Sequence, residues 1–169
     1  MNELYVISGI SGSGKTTLGK ELANKLNLMF IDQDFYFIKN KPKITLSNGL
    51  VVSNYDCYES INTNFKQDIL DKLKITSVLL VGFALSRNML PILPKIHIHL
   101  VTDDIEKRCI EARRQSKNIN VENDILMIKE VIIPFYNFVL QNSDITQYIN
   151  VYNNGVRKQL NNIMNECIL

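Results

Sequence analysis

Apolar positions along the chain fall into short runs of strand character separated by stretches with the period of a helix. Leu4-Tyr5-Val6-Ile7 reads as a buried strand, and Leu18, Leu22 and Leu26 then recur every four residues on one helix face. Leu28-Met29-Phe30-Ile31 is a second strand. Lys43 to Leu46 and Leu50-Val51-Val52 are β-favouring runs around Ser47-Asn48-Gly49, which predicts a hairpin over about 43–53. Ser60 is placed to cap a helix carrying Ile61, Phe65, Ile69 and Leu73. Ser77 to Phe83 is continuously apolar up to Gly82, as in a central parallel strand buried on both faces. From Lys95 to Val101, Ile96, Ile98 and Leu100 alternate with His97 and His99, predicting a strand with one less buried face. Asp103 and Glu106 read as the N-cap and N3 partner of a helix with Ile105, Cys109 and Ala112 inward. The polar stretch that follows predicts a flap over about 115–123. A helix from near Asp124 must bend or break before Pro134. A strand over Ile149 to Tyr152, a turn at Gly155 and a helix from Val156 to Cys167 close the chain. Strands and helices mostly alternate, so the expected fold is α/β: a three-layer sandwich with a parallel sheet, flanking helices and right-handed crossovers.

Composition narrows the function classes. The 169 residues, 46% hydrophobic and 21% charged, suit a single domain over 1–169. A net charge of +2 is too small to indicate a nucleic-acid or membrane surface, which leaves small-molecule chemistry and no protein partner to predict. Cys57, Cys109 and Cys167 are odd in number and far apart, as expected in a reducing compartment and not in a disulfide framework or zinc site. No basic-then-apolar leader opens the sequence, and Val78 to Leu85 is too short to cross a bilayer, so a cytoplasmic location is expected.

The candidate chemistry centres on Gly9-Ile10-Ser11-Gly12-Ser13-Gly14-Lys15-Thr16, a complete G-x-x-x-x-G-K-[ST] loop between the first strand and helix. Its glycines let successive amides turn inward around a triphosphate at the positive end of a helix, and Lys15 reaches the β- and γ-phosphates. Gly9, Ser11, Gly12, Ser13, Gly14, Lys15, Thr16 and the adjoining Thr17 are therefore candidate ATP-binding residues, with the Thr16 hydroxyl placed to ligate Mg²⁺. Asp32 to Phe37 follows the second strand at the sheet edge where ligands sit in open parallel sheets. On the basic helix Arg108, Arg113 or Arg114 is available to meet phosphate charge, with a solvated charged face as the alternative. His97 and His99 have no evident third ligand nearby and read as structural.

Taken with Ile31-Asp32-Gln33-Asp34-Phe35-Tyr36-Phe37 and Tyr55-Asp56-Cys57-Tyr58-Glu59-Ser60-Ile61-Asn62, the loop makes the chain resemble the nicotinamide riboside kinases, relatives of the uridine-cytidine kinases among P-loop kinases. The resemblance continues through Gly82-Phe83, the basic helix and Pro134-Phe135-Tyr136. It implies a P-loop NTPase-type sheet and Mg²⁺- and ATP-dependent phosphorylation of a riboside 5′-hydroxyl, nicotinamide riboside first. A uridine, cytidine or other nucleoside kinase, or a nucleotide-binding protein without turnover, are the alternatives. It implies that Asp34 is the base and a metal neighbour, that Tyr55 and Asp56 face the pyridine ring and ribose diol, and that Arg114 reaches the ribose. Asp34, Lys15 and Arg114 are then the catalytic set. The chain departs from the family at Val81, where a metal-holding glutamate is expected, and in lacking an aromatic residue between Arg114 and Phe135.

Overall fold

The computed structural model describes residues 1–114 and 121–169, so most of the expected flap lies outside the described residues. The first half comprises β1 (Leu4–Gly9), α1 (Lys15–Leu26), β2 (Met29–Asp32), the hairpin strands β3 (Lys43–Thr45) and β4 (Val51–Ser53), and α2 (Phe65–Leu73). Then come β5 (Val78–Gly82), β6 (Ile96–Val101), α3 (Ile105–Arg114), α4 (Val121–Met127) and α5 (Ile133–Gln141). The last part is β7 (Gln147–Asn150), a second hairpin of β8 (Tyr152–Asn153) and β9 (Val156–Arg157), and α6 (Leu160–Glu166). Five strands form one sheet in the order β2-β5-β1-β6-β7, and every neighbouring pair is parallel.

Two apolar layers sandwich the sheet. On one side Leu18, Leu22 and Ala23 of α1 and Ile163 of α6 pack with Ile7, Leu79 and Val81; on the other Phe65 and Ile69 of α2 pack with Leu4, Val6 and Leu80. A third cluster joins Ile10, Leu46 of the first hairpin, Cys109 of α3, and Met127, Ile128 and Tyr136. That cluster seats the elements around the phosphate loop.

Several local expectations are corrected. Leu26 is 40% exposed and Ala23 takes its place inside, because the α1 chain reverses at Asn27 in left-handed backbone directly afterwards. Ser60 does not cap a helix: it is buried in a 3₁₀ turn over Tyr58–Ser60, its hydroxyl donates to the Asn54 carbonyl, and α2 starts later at Phe65. Asp104, not Asp103, caps α3, its carboxylate accepting from the Lys107 amide at 3.0 Å, while Asp103 is drawn away by Arg108. Before Pro134 the regular α-helix is interrupted, as expected, but the chain stays helical. A π-helical turn over Ile128–Ile132 links α4 to α5, and the wider turn relieves both the missing proline N–H and the ring's clash with the preceding carbonyls. Nor does the last helix begin at Val156. Asn154 (φ 50°) and Gly155 (φ 77°) form the tight turn of the β8–β9 hairpin, and α6 begins at Leu160.

Strand β6 has no less buried face. His97 and His99 are 1% and 2% exposed, and Tyr136 of α5 packs against His99. Ser8 Oγ hydrogen-bonds to His97 Nε2 at 2.7 Å and His99 Nδ1 at 2.8 Å, and His99 Nε2 hydrogen-bonds to the Tyr136 hydroxyl at 2.7 Å. Burial lowers both imidazole pKa values to about 4, helped by mutual repulsion at His97 and by Lys15 at His99, so both rings are neutral at pH 7. Among the described residues no cluster of metal-ligating side chains forms, and no helix is long and apolar enough to cross a membrane.

Candidate active site

The phosphate loop leaves the C-terminal end of β1 and closes on itself through a hydrogen bond from the Ser13 amide to the Ile10 carbonyl at 3.0 Å. Gly12 and Gly14 have φ of 81° and 85°, backbone that only glycine adopts at little cost, and Gly14 is the N-cap of α1. The Ser13 hydroxyl is buried without a hydrogen-bond partner among the described residues. Thr16 lies in the first turn of α1, and Thr17 beside it is exposed.

The second component of the site is the turn after β2. Gln33 is buried and pairs with the Ala84 peptide, its Nε2 donating to the carbonyl at 3.1 Å and its Oε1 accepting from the amide at 3.0 Å. This clamp ties the turn to the end of β5. Asp32 caps the turn by accepting from the Asp34 amide at 3.0 Å and, with its other oxygen, accepts from the Thr16 hydroxyl at 3.1 Å. Crowding by protein raises the Asp34 pKa, the Asp32 charge adds to the rise, and Lys15 opposes it. Burial pushes the Lys15 ammonium the other way, against the charges of Asp34 and Asp32.

Asp32 was not singled out from sequence, although it stands at a strand end beside the loop. The Thr16 hydroxyl and the Asp32 carboxylate are hard oxygen donors of the kind Mg²⁺ takes, so the residues present fit that ion. Val81, by contrast, points away from the site. A Cβ at Gly19 of α1 would collide with it, so a carboxylate at 81 would be buried under α1 instead of joining Thr16.

A cavity of about 340 Å³ opens beside the loop. Its lining includes Ser11, Lys15, Asp34, Asp56, Arg113 and Asp124, with Phe37, Tyr55 and Phe83 supplying aromatic surface. Tyr55 meets Phe37 edge to face with centroids 5.4 Å apart, and the Lys41 ammonium lies 4.3 Å from its ring centre. Burial raises the Asp56 pKa to about 6 against the pull of Arg113. Arg113 donates to Asp124 Oδ1 at 3.1 Å, while Asp124 Oδ2 is buried and has no hydrogen-bond partner among the described residues. A buried acceptor in that condition suits a ligand hydroxyl.

The expected residues therefore divide. The loop residues, Asp34, Tyr55, Asp56 and Arg113 come together. Arg108 and Arg114 do not join them. Arg108 is buried, donating to Asp103 at 2.8 and 2.9 Å and to Glu111 at 2.8 Å, with its guanidinium 3.7 Å from the Tyr152 ring centre. Arg114 lines a separate surface groove with Asp104, Glu106, Lys107, Ile110 and Glu111. The residue that sequence reasoning missed on the nucleotide side is Arg157, which donates to the Ser13 carbonyl at 2.6 Å. Its signal was Asn154-Gly155, a hairpin dipeptide that folds β9 back toward the loop.

Comparison with known proteins places this site in context. The shikimate kinase family model matches residues 11–72. The shikimate kinase of Azobacteroides pseudotrichonymphae is 42% identical over 72 residues, covering 43% of this chain and 41% of that protein. A probable gluconokinase of Xenopus tropicalis is 44% identical over 54 residues, 31% of this chain and 27% of that protein. The chain thus spans less than half the length of these curated relatives. A sugar kinase structure from Janibacter superposes with a TM-score of 0.56 at 15% identity, covering 98% of this chain and 91% of that one, a likeness of fold. These matches, to proteins named shikimate kinase and gluconokinase, support the small-molecule kinase level of the resemblance and give no support to its nicotinamide riboside branch.

Proposed function

We propose that this chain, built on the P-loop kinase fold, transfers a phosphoryl group from ATP to a hydroxyl of a small polyhydroxylated molecule. The observation that carries the reading is that Lys15 of the phosphate loop and the carboxylates of Asp34 and Asp56 line one cavity. Loop amides and Lys15 hold the triphosphate, and Asp34 takes the proton of the attacking hydroxyl. Asp56 and Asp124 accept from other hydroxyls and hold the acceptor in line, and Arg113 meets charge on the transferred group. Thr16 and Asp32, with Asp34 nearby, would hold Mg²⁺, which when bound neutralises charge on the phosphate oxygens.

Two acceptor classes have support. The relatives' names favour a polyhydroxy acid such as shikimate or gluconate. The cavity favours an uncharged or cationic riboside, because Asp34, Asp56 and Asp124 outnumber Lys15 and Arg113, and three aromatic side chains are among its lining. A coupled assay with ATP, Mg²⁺ and a panel of shikimate, gluconate, nicotinamide riboside, uridine and cytidine separates them. Turnover of a riboside above both acids is expected. Preference for an acid would reverse the acceptor assignment, and ADP release with none of the panel would remove this acceptor class altogether.

Asp56 makes acceptor binding depend on pH. Its carboxylate accepts two hydroxyls only when ionised, so affinity for the best panel acceptor should fall as pH drops through about 6, roughly tenfold per unit at most. In Asp56→Asn the affinity should be weak and flat across that range. Calorimetric titration at pH 5 to 7.5 in the presence of ADP tests this, and an unchanged pH slope in the variant would take Asp56 out of the binding site.

A further inference from the structure

We propose that Arg157 is a positioning residue for the nucleotide, acting through the Ser13–Gly14 peptide of the phosphate loop. The inference rests on the nucleotide reading above and adds an element outside the loop motif. Arg157 leaves β9 with an exposed side chain and donates from Nη2 to the Ser13 carbonyl at 2.6 Å. Its guanidinium lies so close over Gly14 that a Cβ there would collide with it. Gly14, the left-handed N-cap of α1, is thus covered from outside the loop by Arg157.

The hydrogen bond has an electronic consequence. Each carbonyl of the loop that faces outward belongs to a peptide whose N–H is the next residue's donor. A cation on the Ser13 carbonyl withdraws electron density from that peptide, which strengthens the Gly14 N–H as a donor, and it adds positive charge beside the bound phosphates. The loop is also spared the cost of ordering that peptide when the nucleotide arrives.

The support for Arg157 is built in. Tyr152, its partner across the β8–β9 ladder, has the Arg157 guanidinium 5.4 Å from its ring centre and Arg108 at 3.7 Å. Arg108 is fixed in turn by Asp103 and reaches the Gly155 carbonyl at 3.5 Å. An ion-paired arginine of α3 thereby props the hairpin that carries Arg157 to the loop.

Calorimetric titration of ADP and of a non-hydrolysable ATP analogue, with Mg²⁺, into the wild type and three variants tests the proposal. Arg157→Ala should weaken both nucleotides about tenfold, and Arg157→Gln, which keeps a donor without the charge, should weaken them less. Arg157→Lys should restore most of the affinity, and all four proteins should melt at similar temperatures because the side chain is exposed. Equal affinities in all four would reduce Arg157 to a pin for the hairpin and overturn the proposal. Tighter binding in Arg157→Ala would overturn it too, showing that the side chain obstructs the site. A wild type that binds neither nucleotide would sink the nucleotide reading itself.

Discussion

Asp34→Asn is expected to lower kcat by about 10²–10⁴-fold while leaving ADP affinity within a few-fold of the wild type. The substitution is nearly isosteric and leaves the backbone supports of position 34 in place: the Gln33 clamp on Ala84 and the Asp32 carboxylate on the Asp34 amide. Asp32 also keeps its bond with Thr16, so the neighbouring oxygen donors survive. What is lost is a carboxylate whose proton affinity is raised by crowding and by Asp32, the direction that makes a better base near neutral pH. Steady-state rates with the best panel acceptor, paired with ADP titrations, decide the matter. A variant that keeps more than a third of wild-type kcat would remove Asp34 from proton transfer, whereas loss of ADP binding would move its role to the nucleotide.

Acid should destabilise the fold between about pH 6.5 and 4, where the two buried histidines must take up protons on unfolding. His97 and His99 ionise at about 4 in the folded chain against 6.5 for an unperturbed imidazole, so between those values the unfolded chain binds more protons and stability falls as pH falls. Each ring contributes about 3 kcal/mol to that loss once pH nears 4. Asp56 runs the other way, because a carboxylate raised to about 6 is protonated in the folded state first, and it offsets part of the loss. Urea unfolding midpoints at pH 7, 5.5 and 4.5 should therefore decline steeply in the wild type and much less in a His97→Gln, His99→Gln double variant. Parallel declines in the two proteins would mean that other groups set the acid limit.

Much of this arrangement is legible in residue order, and the failures have physical causes. The phosphate loop, the hairpin around Asn48-Gly49 and the buried run of β5 each depend on local backbone demands or long apolar runs, and these survive in the fold. The arginines were harder. Arg113 and Arg114 differ by one helical position, about 100° around α3, and sequence alone does not say which faces the cavity. Asp32 and Asp34 posed the same difficulty across a 3₁₀ turn, where capping sends the first carboxylate toward Thr16. His97 and His99 looked like a wetter strand face because their partners, Ser8 for both and Tyr136 for His99, arrive from far along the chain. Arg157 was hidden because its contact with Ser13 spans the whole domain.

The π-helical turn over Ile128–Ile132 sets the phase of everything beyond it. A π turn holds one residue more than the α-helical turn it replaces, and each helical residue advances the side-chain direction by about 100°. Continued as a regular helix from α4, the same sequence would carry Phe135 and Tyr136 a quarter-turn or more round the axis. Phe135 would leave the rings of Tyr58 and Phe83, 5.3 and 5.4 Å from it, and the Tyr136 hydroxyl would leave His99. A single supernumerary residue thus lets one continuous helix bring Asp124 and Ile132 to the cavity and the Tyr136 hydroxyl to His99.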